Sequence, residues 1–407
     1  MTRSTTIILI LLFIVALLGG AWWYFFFEKG TVSPTQTTSS TTPISFTPLN
    51  NTPINPEATP TKPTEGTATT TTDELPTTAK SKVKKIYASP VAFGISASST
   101  ASSSSVYFVD RGTGHIYNAM LDGTTPEKIS NTTILRVYES YFDKQAKNIL
   151  LRYIKEGTDV VTSVIAPITA EIRASFLSNN IDTLTTSPKG DKIFYIERTD
   201  AGAVGYISKI DGSAKKAVFE SPLKEWVVTW PEENIVTLTT KASRLNPGFL
   251  YFLNLKTGNL VKILGPIYGL TTNTSKDGKK VLYSRSTSGK TETRVLTVAE
   301  NAVQETFFIT LPEKCVWSSL EKNSVYCAVP TTPINNLPDA WYKGLARPSD
   351  QIWRLDTVTN SVNKVSNLFE DTGTIIDATN LSLTPNEQAL FFINNTDLSL
   401  WSVDLAD

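Results

Sequence analysis

The chain has 407 residues, more than one average domain, and its 38 Lys and Arg balance 38 Asp and Glu, so formal net charge is zero. A balanced chain has no global field to draw nucleic acid or an anionic surface. One histidine, His115, and two cysteines exclude a two-His zinc helix, a structural zinc cluster and a disulfide scaffold, and leave a His-dependent triad almost no room.

Residues 1–29 read as a transmembrane anchor. Ile7 through Phe27 carry no charge, and 21 residues at about 1.5 Å each reach about 30 Å, the hydrocarbon thickness of a bilayer. Arg3 before the run favours a cytoplasmic N-terminus, and Trp22, Trp23 and Tyr24 suit the outer headgroup zone. The rival reading is a cleaved signal peptide, with Gly19-Gly20-Ala21 as the small-residue site; the apolar run continues past it to Phe27. Residues 30–80 are a different material. Positions 31 to 80 hold 18 Thr, 4 Ser and 8 Pro, a composition that builds no core and reads as a disordered linker. It serves as a spacer or a Thr-rich glycosylated stalk, with a coil span of about 40 Å.

From residue 81 to 407 short strands alternate with turns, and a pattern repeats. Ser187-Pro188-Lys189-Gly190-Asp191 leads into Lys192-Ile193-Phe194-Tyr195, Ser275-Lys276-Asp277-Gly278-Lys279 into Lys280-Val281-Leu282-Tyr283, and Thr384-Pro385-Asn386-Glu387-Gln388 into Ala389-Leu390-Phe391-Phe392. With weaker copies, the apolar strand begins at Val106, Ile149, Ile193, Ile235, Val281, Val325 and Leu390, so all gaps but the last lie in the low to middle forties. That period with short strands predicts propeller blades of four strands each. Recognisable third strands in all seven copies predict an all-β, seven-bladed propeller, with six blades as the alternative. The first blade is expected to open on an inner strand, Val91 to Ser96. The chain ends after the third strand of the last copy, and a surplus strand, Lys82 to Ala88, precedes the first; it is expected to complete the last blade.

The Ser-Pro-Lys-Gly-Asp turn and its copy at Ser275 resemble the TolB-like, WD40-like propeller repeats of bacterial envelope proteins. The resemblance implies the fold and an extracytoplasmic, binding-type role, and no active site. Trp-Asp dipeptides of WD-repeat proteins are missing, as are sialidase Asp boxes, EF-hand loops and phosphate-binding glycine loops.

The last gap, 65 residues, holds about twenty extra residues, Pro330 to Asp350, between second and third strands. Its Trp341, Tyr342, Lys343 and Arg347 are candidates for a protein or glycan contact; the alternative is that Trp341 folds back onto the propeller. Trp226 is a candidate on the channel wall, among hydroxyl and amide residues such as Ser140, Thr272, Asn273 and Asn380. Cys315 and Cys327 fall nearly opposite each other on neighbouring strands, either as a disulfide or as two buried thiols. The carboxylates are scattered, and no spacing marks an acid–base pair or a cofactor site. The reading is therefore a non-catalytic, membrane-tethered, extracytoplasmic propeller that binds an envelope or cell-surface protein. It touches the bilayer through residues 7–27 and takes neither a cofactor nor a nucleic acid. A glycan-binding propeller and a hydrolase at the channel mouth are the alternatives.

Overall fold

A computed structural model describes residues 82–406 apart from 101–102, 122–123, 144, 170, 172–173 and 178–179. The expected anchor and linker lie outside the described residues. Within them, no helix is long and apolar enough to cross a membrane.

The described chain forms seven four-stranded antiparallel sheets. Blade 1 is Ser96–Ser99, Ser104–Val109, Ile116–Met120 and Glu127–Lys128. Blade 2 is Val137–Phe142, Asn148–Ile154, Val161–Pro167 and Ser175–Phe176. Blade 3 is Ile181–Thr186, Lys192–Thr199, Gly202–Lys209 and Lys216–Ser221. Blade 4 is Trp226–Glu232, Ile235–Thr240, Pro247–Asn254 and Leu260–Tyr268. Blade 5 is Thr272–Thr274, Lys280–Thr287, Lys290–Thr297 and Ala302–Glu305. Blade 6 is Cys315–Trp317, Ser324–Pro330, Asp350–Asp356 and Val362–Asn367. Blade 7 is Ala378–Leu383, Ala389–Asn394 and Leu400–Asp404, with Val83–Tyr87 as its outer strand. The N-terminal strand pairs antiparallel with the last, Val83 opposite Val403 and Lys84 opposite Ser402.

The recurring turn has a physical cause. Ser187 Oγ accepts the Lys192 amide at 3.1 Å and donates to Asp191 at 2.8 Å, while Gly190 takes a φ of 71°. Ser275 accepts the Lys280 amide at 2.9 Å and donates to Asp277 at 2.7 Å, with Gly278 at 70°. In the third copy Thr384 Oγ1 accepts the Ala389 amide at 3.1 Å, and Glu387 stands at a φ of 53° where the others have glycine. The hydroxyl fixes the first strand residue, and the left-handed residue reverses the chain.

Each second strand is apolar on both faces because each blade is covered on both sides. In blade 3, Ile193 and Tyr195 pack toward blade 2 while Phe194 and Ile196 pack toward blade 4. Fully burying such side chains contributes about 1.5–3 kcal/mol apiece. The buried apolar residues fall into seven clusters, one for each neighbouring pair of blades. A row of seven blades would have six such interfaces; the seventh joins Val106, Phe108 and Ala119 of blade 1 to Phe391, Ile393 and Leu400 of blade 7. The sheets therefore close into a ring.

One expected strand is displaced. Blade 1's inner strand is Ser96–Ser99, and residues 91–94 run ahead of it as a strap. Val91 bridges Asp110, and Phe93 pairs in parallel with Glu139 of blade 2. Gly94 makes this possible: its φ is 92°, and a Cβ there would stand 1.7 Å from the Ser140 carbonyl oxygen.

Candidate functional site

The connections between second and third strands and those leading into each inner strand share one face of the ring, called here the top. The 330–350 insert lies there. Leu337–Pro338 is a cis peptide bond, a single helical turn follows at Asp339–Tyr342, and Gly344 at a φ of 68° ends it. Proline's fixed φ starts this turn in place of a side-chain cap.

The insert is tied to four blades. The Arg244 amide of blade 4's loop donates to Asp339 at 2.7 Å. Ser286 Oγ of blade 5 donates to the Leu337 carbonyl at 2.8 Å, and Leu337 is buried. The Tyr342 hydroxyl donates to Glu313, just before blade 6's inner strand. The Trp341 indole donates to Asp377 at 2.8 Å, just before blade 7's inner strand.

Beneath Trp341 lies a charged core. Lys314 Nζ stands 2.7 Å from Asp350 and 2.6 Å from Asp377, and all three side chains are at most 1% exposed. The ring of Trp341 lies 5.7 Å above the ammonium. Asp350 also accepts the Ala378 amide, and Asp377 accepts from Asn395. Burial raises the Asp350 carboxyl to about 6, with Lys314 opposing that shift and Asp377 adding to it. One Asp350 oxygen, Oδ1, has no hydrogen-bond partner.

Glu313 lines a small recess on the top face with Val227, Thr239, Thr271, Thr272 and Tyr342. Its side chain is half-buried. That burial pushes its carboxyl up to about 7 against the pull of the Tyr342 hydrogen bond. Burial together with Glu313 holds the Tyr342 phenol well above its ordinary value.

The insert candidates thus divide. Trp341 is half-buried and turned inward; Tyr342 is 44% exposed even though its hydroxyl is engaged; Lys343 and Arg347 are exposed. Leu345, at 79% exposed, is the large apolar group that the insert presents. Trp226 is not on the channel wall. It is buried between blades 3 and 4, edge-on to Phe219 at 5.4 Å, with its indole donating to the Leu223 carbonyl. A Trp at the first position of an inner strand points into the inter-blade layer. Cys315 and Cys327 are directly opposite in register and joined as a disulfide.

The polar inner-strand residues mostly tie blades together. Asn380 Oδ1 accepts the Gly94 and Ile95 amides, linking blade 7 to the strap before blade 1. Thr239 and Thr272 share a hydrogen bond at 2.7 Å across blades 4 and 5. Asn273 donates to the Pro312 and Cys315 carbonyls across blades 5 and 6. Arg152, buried in blade 2, pairs with Glu139 at 2.7 Å and donates to the Ile181 carbonyl of blade 3.

Sequence reasoning treated Asp377 as a scattered loop charge and missed Lys314 and Glu313. One signal existed: Lys314 and Asp377 occupy the same place, one residue before the inner strands of adjacent blades. Among the described residues no group of three His, Cys, Asp or Glu side chains is placed to hold a metal ion.

No family model matches the chain, and no curated protein matches its sequence. Solved structures do. The chain is similar to an oligogalacturonate lyase from Vibrio parahaemolyticus, at 10% identity and a TM-score of 0.54, covering 79% of this chain and 92% of that one. It is similar to the β-propeller domain of the trilobed protease from Pyrococcus furiosus, at 10% identity and a TM-score of 0.51, covering 80% and 99%. That domain has an open velcro topology; here Val83–Tyr87 closes blade 7. TolB from Acinetobacter baumannii is also among the similar structures, at 12% identity and a TM-score of 0.43 over 61% of this chain; this chain spans 58% of that one. At such identities the likeness is one of fold, that of a β-propeller, and the seven sheets give this one seven blades.

Proposed function

We propose that the protein is a non-catalytic binding module, held outside the cytoplasm by an N-terminal anchor at residues 7–27, and that it engages a protein partner through the top face of blades 4 to 7. The observation that carries this reading is the insert: about twenty residues interrupt one strand pair and are tied to four blades, yet they present Leu345, Lys343, Arg347 and one face of Tyr342 to solvent. A rigid scaffold that displays an apolar group beside cations matches the anatomy of a protein contact. The Cys315–Cys327 disulfide supports an oxidising compartment.

The test is a photo-crosslinking residue at Leu345 in the full-length chain, in its native cells. A single cross-linked protein, lost when Arg347→Glu is added, is the expected result. Glycan fragments that compete for the contact through Tyr342 stacking would move the reading to sugar recognition. A hydrolase reading has one observation in its favour: the Glu313 carboxyl, raised to about 7, suits a general acid. Turnover of any chromogenic ester or glycoside that Glu313→Gln abolishes would replace the binding reading with that one.

A further inference from the structure

The top face carries a second built hollow, on blades 1 and 2, away from the blades that the insert ties together. Arg111 and Arg136 line the same cleft of about 830 Å³. Nine arginines are described, and Arg152, Arg198, Arg285, Arg294 and Arg354 form ion pairs. Arg111, Arg136, Arg244 and Arg347 are not among them, and among the described residues no side-chain hydrogen bond engages Arg111 or Arg136. The nearest carboxylate on the lining, Asp110, is already committed. It accepts the Tyr87 hydroxyl at 2.9 Å and both the amide and hydroxyl of Thr113 at 2.8 Å. Among the described residues, Arg111 and Arg136 therefore line this hollow with no ion pair formed, and Asp110 is the one carboxylate on its lining.

The walls are fixed. Gly114, at a φ of 73°, packs so close that a Cβ would lie 2.2 Å from the Ile134 carbonyl oxygen, and the Ile134 amide donates to Thr113 at 2.9 Å. His115 and Thr133 meet across the same seam at 3.3 Å. Arg136 itself sits at a φ of 62°, a left-handed conformation that costs a non-glycine residue energy, with its carbonyl accepting the Ile154 amide. Leu135 and Ile154 line the cleft beside it and continue with Arg136 into an adjoining hollow of about 420 Å³. Leu135 is half-exposed.

We propose that this cleft binds an extended acidic segment of a protein partner, with two carboxylates on Arg111 and Arg136 and an apolar side chain against Leu135 and Ile154. The mixed lining favours a peptide over a uniformly polar anionic glycan. Glu156, which lines only the adjoining hollow, gives the site a polarity: it fits a neutral or basic residue at that end. This inference rests on the reading of the ring as a binding module and adds a contact distinct from the insert.

The experiment is fluorescence anisotropy of the full-length chain with a labelled octapeptide carrying four glutamates around a central leucine. Its counterpart with glutamine for glutamate is the control. Binding by the acidic peptide, at least tenfold weaker with the glutamine peptide, is expected. Arg111→Gln and Arg136→Gln should each weaken it tenfold or more, while Lys256→Gln on a distant turn should not. No binding at millimolar peptide, or binding indifferent to both arginines, overturns the proposal. So does an oligogalacturonate that binds through both arginines and that the peptide cannot displace. The Leu345 cross-link reads the insert separately: an intact cross-link with no peptide binding removes the cleft alone, and the converse removes the insert reading alone.

Discussion

Lys314 carries a positive charge into a site that is 1% exposed, and two carboxylates meet it there. Removing one partner of such a group leaves uncompensated charge, which costs about 3–5 kcal/mol, far more than an exposed ion pair contributes. Lys314→Met is therefore expected to lower the urea midpoint strongly at pH 7.5, with partial recovery at pH 5, where Asp350 takes up a proton. A fully retained midpoint at pH 7.5 would show that the triad contributes little. Glu313 gives a second pH effect, and its sign is opposite to that of an ordinary salt-bridged carboxylate. Its pKa in the folded chain, about 7, lies above the unfolded value. The stability it contributes is present below about pH 4.3 and is lost as pH rises through 7. Glu313→Gln should accordingly raise the melting temperature relative to wild type at pH 8 and leave little difference at pH 5. A larger difference at pH 5 than at pH 8 would reverse the assignment.

At the scale of elements, the strands were readable where the chain obeys one local rule. The Ser187 and Ser275 turns announce themselves because a hydroxyl and a glycine sit three residues apart with a carboxylate beside the glycine, and both match the observed hydrogen bonds. The Ile235–Thr240 strand begins where the apolar pattern places it. The blade 1 inner strand was misplaced because Val91 and Phe93 look like strand residues and are buried or half-buried, but they serve as a strap against blade 2. Ser96–Ser99 carries almost no strand propensity and is held by its neighbour. The insert's existence was legible from a gap length. Its inward Trp341 was not, since its partner Asp377 belongs to another blade. Pro330 and Asp350 already pair across the strands that flank the insert. Replacing residues 331–349 with a two-residue Asn-Gly turn should therefore leave the strand spectrum in far-ultraviolet circular dichroism intact. The charged hydrogen bond of Trp341, about 1.5–3 kcal/mol, is lost with it, and the melting temperature should fall by several degrees. Loss of the β signal would mean that the insert is part of the folding unit.

At the scale of the whole molecule, the proposed binding role rests on rigidity and closure. Seven inter-blade clusters, with side-chain ties such as Asn380 onto the strap before blade 1 and Arg152 onto blade 3, hold the top-face loops in fixed relation. On the proposed reading, this is what presents the insert and the blade 1–2 cleft as preformed surfaces. The ring itself was legible from a strand in surplus at one end of the domain and one lacking at the other. The proposed contact surfaces were not, because the groups that line them come from loops far apart in sequence.

Closure by Val83–Tyr87 is the point on which all of this depends, and one cross-link tests it. Val83 and Val403 are register partners on the outer strands of blade 7. In the full-length chain with Val83→Cys and Val403→Cys, mild oxidation of the folded protein should give a monomeric, reductant-sensitive band of altered mobility that melts higher than the reduced form. Two thiols that stay free in the folded protein, or that join only between molecules, would show that Val83–Tyr87 does not complete blade 7.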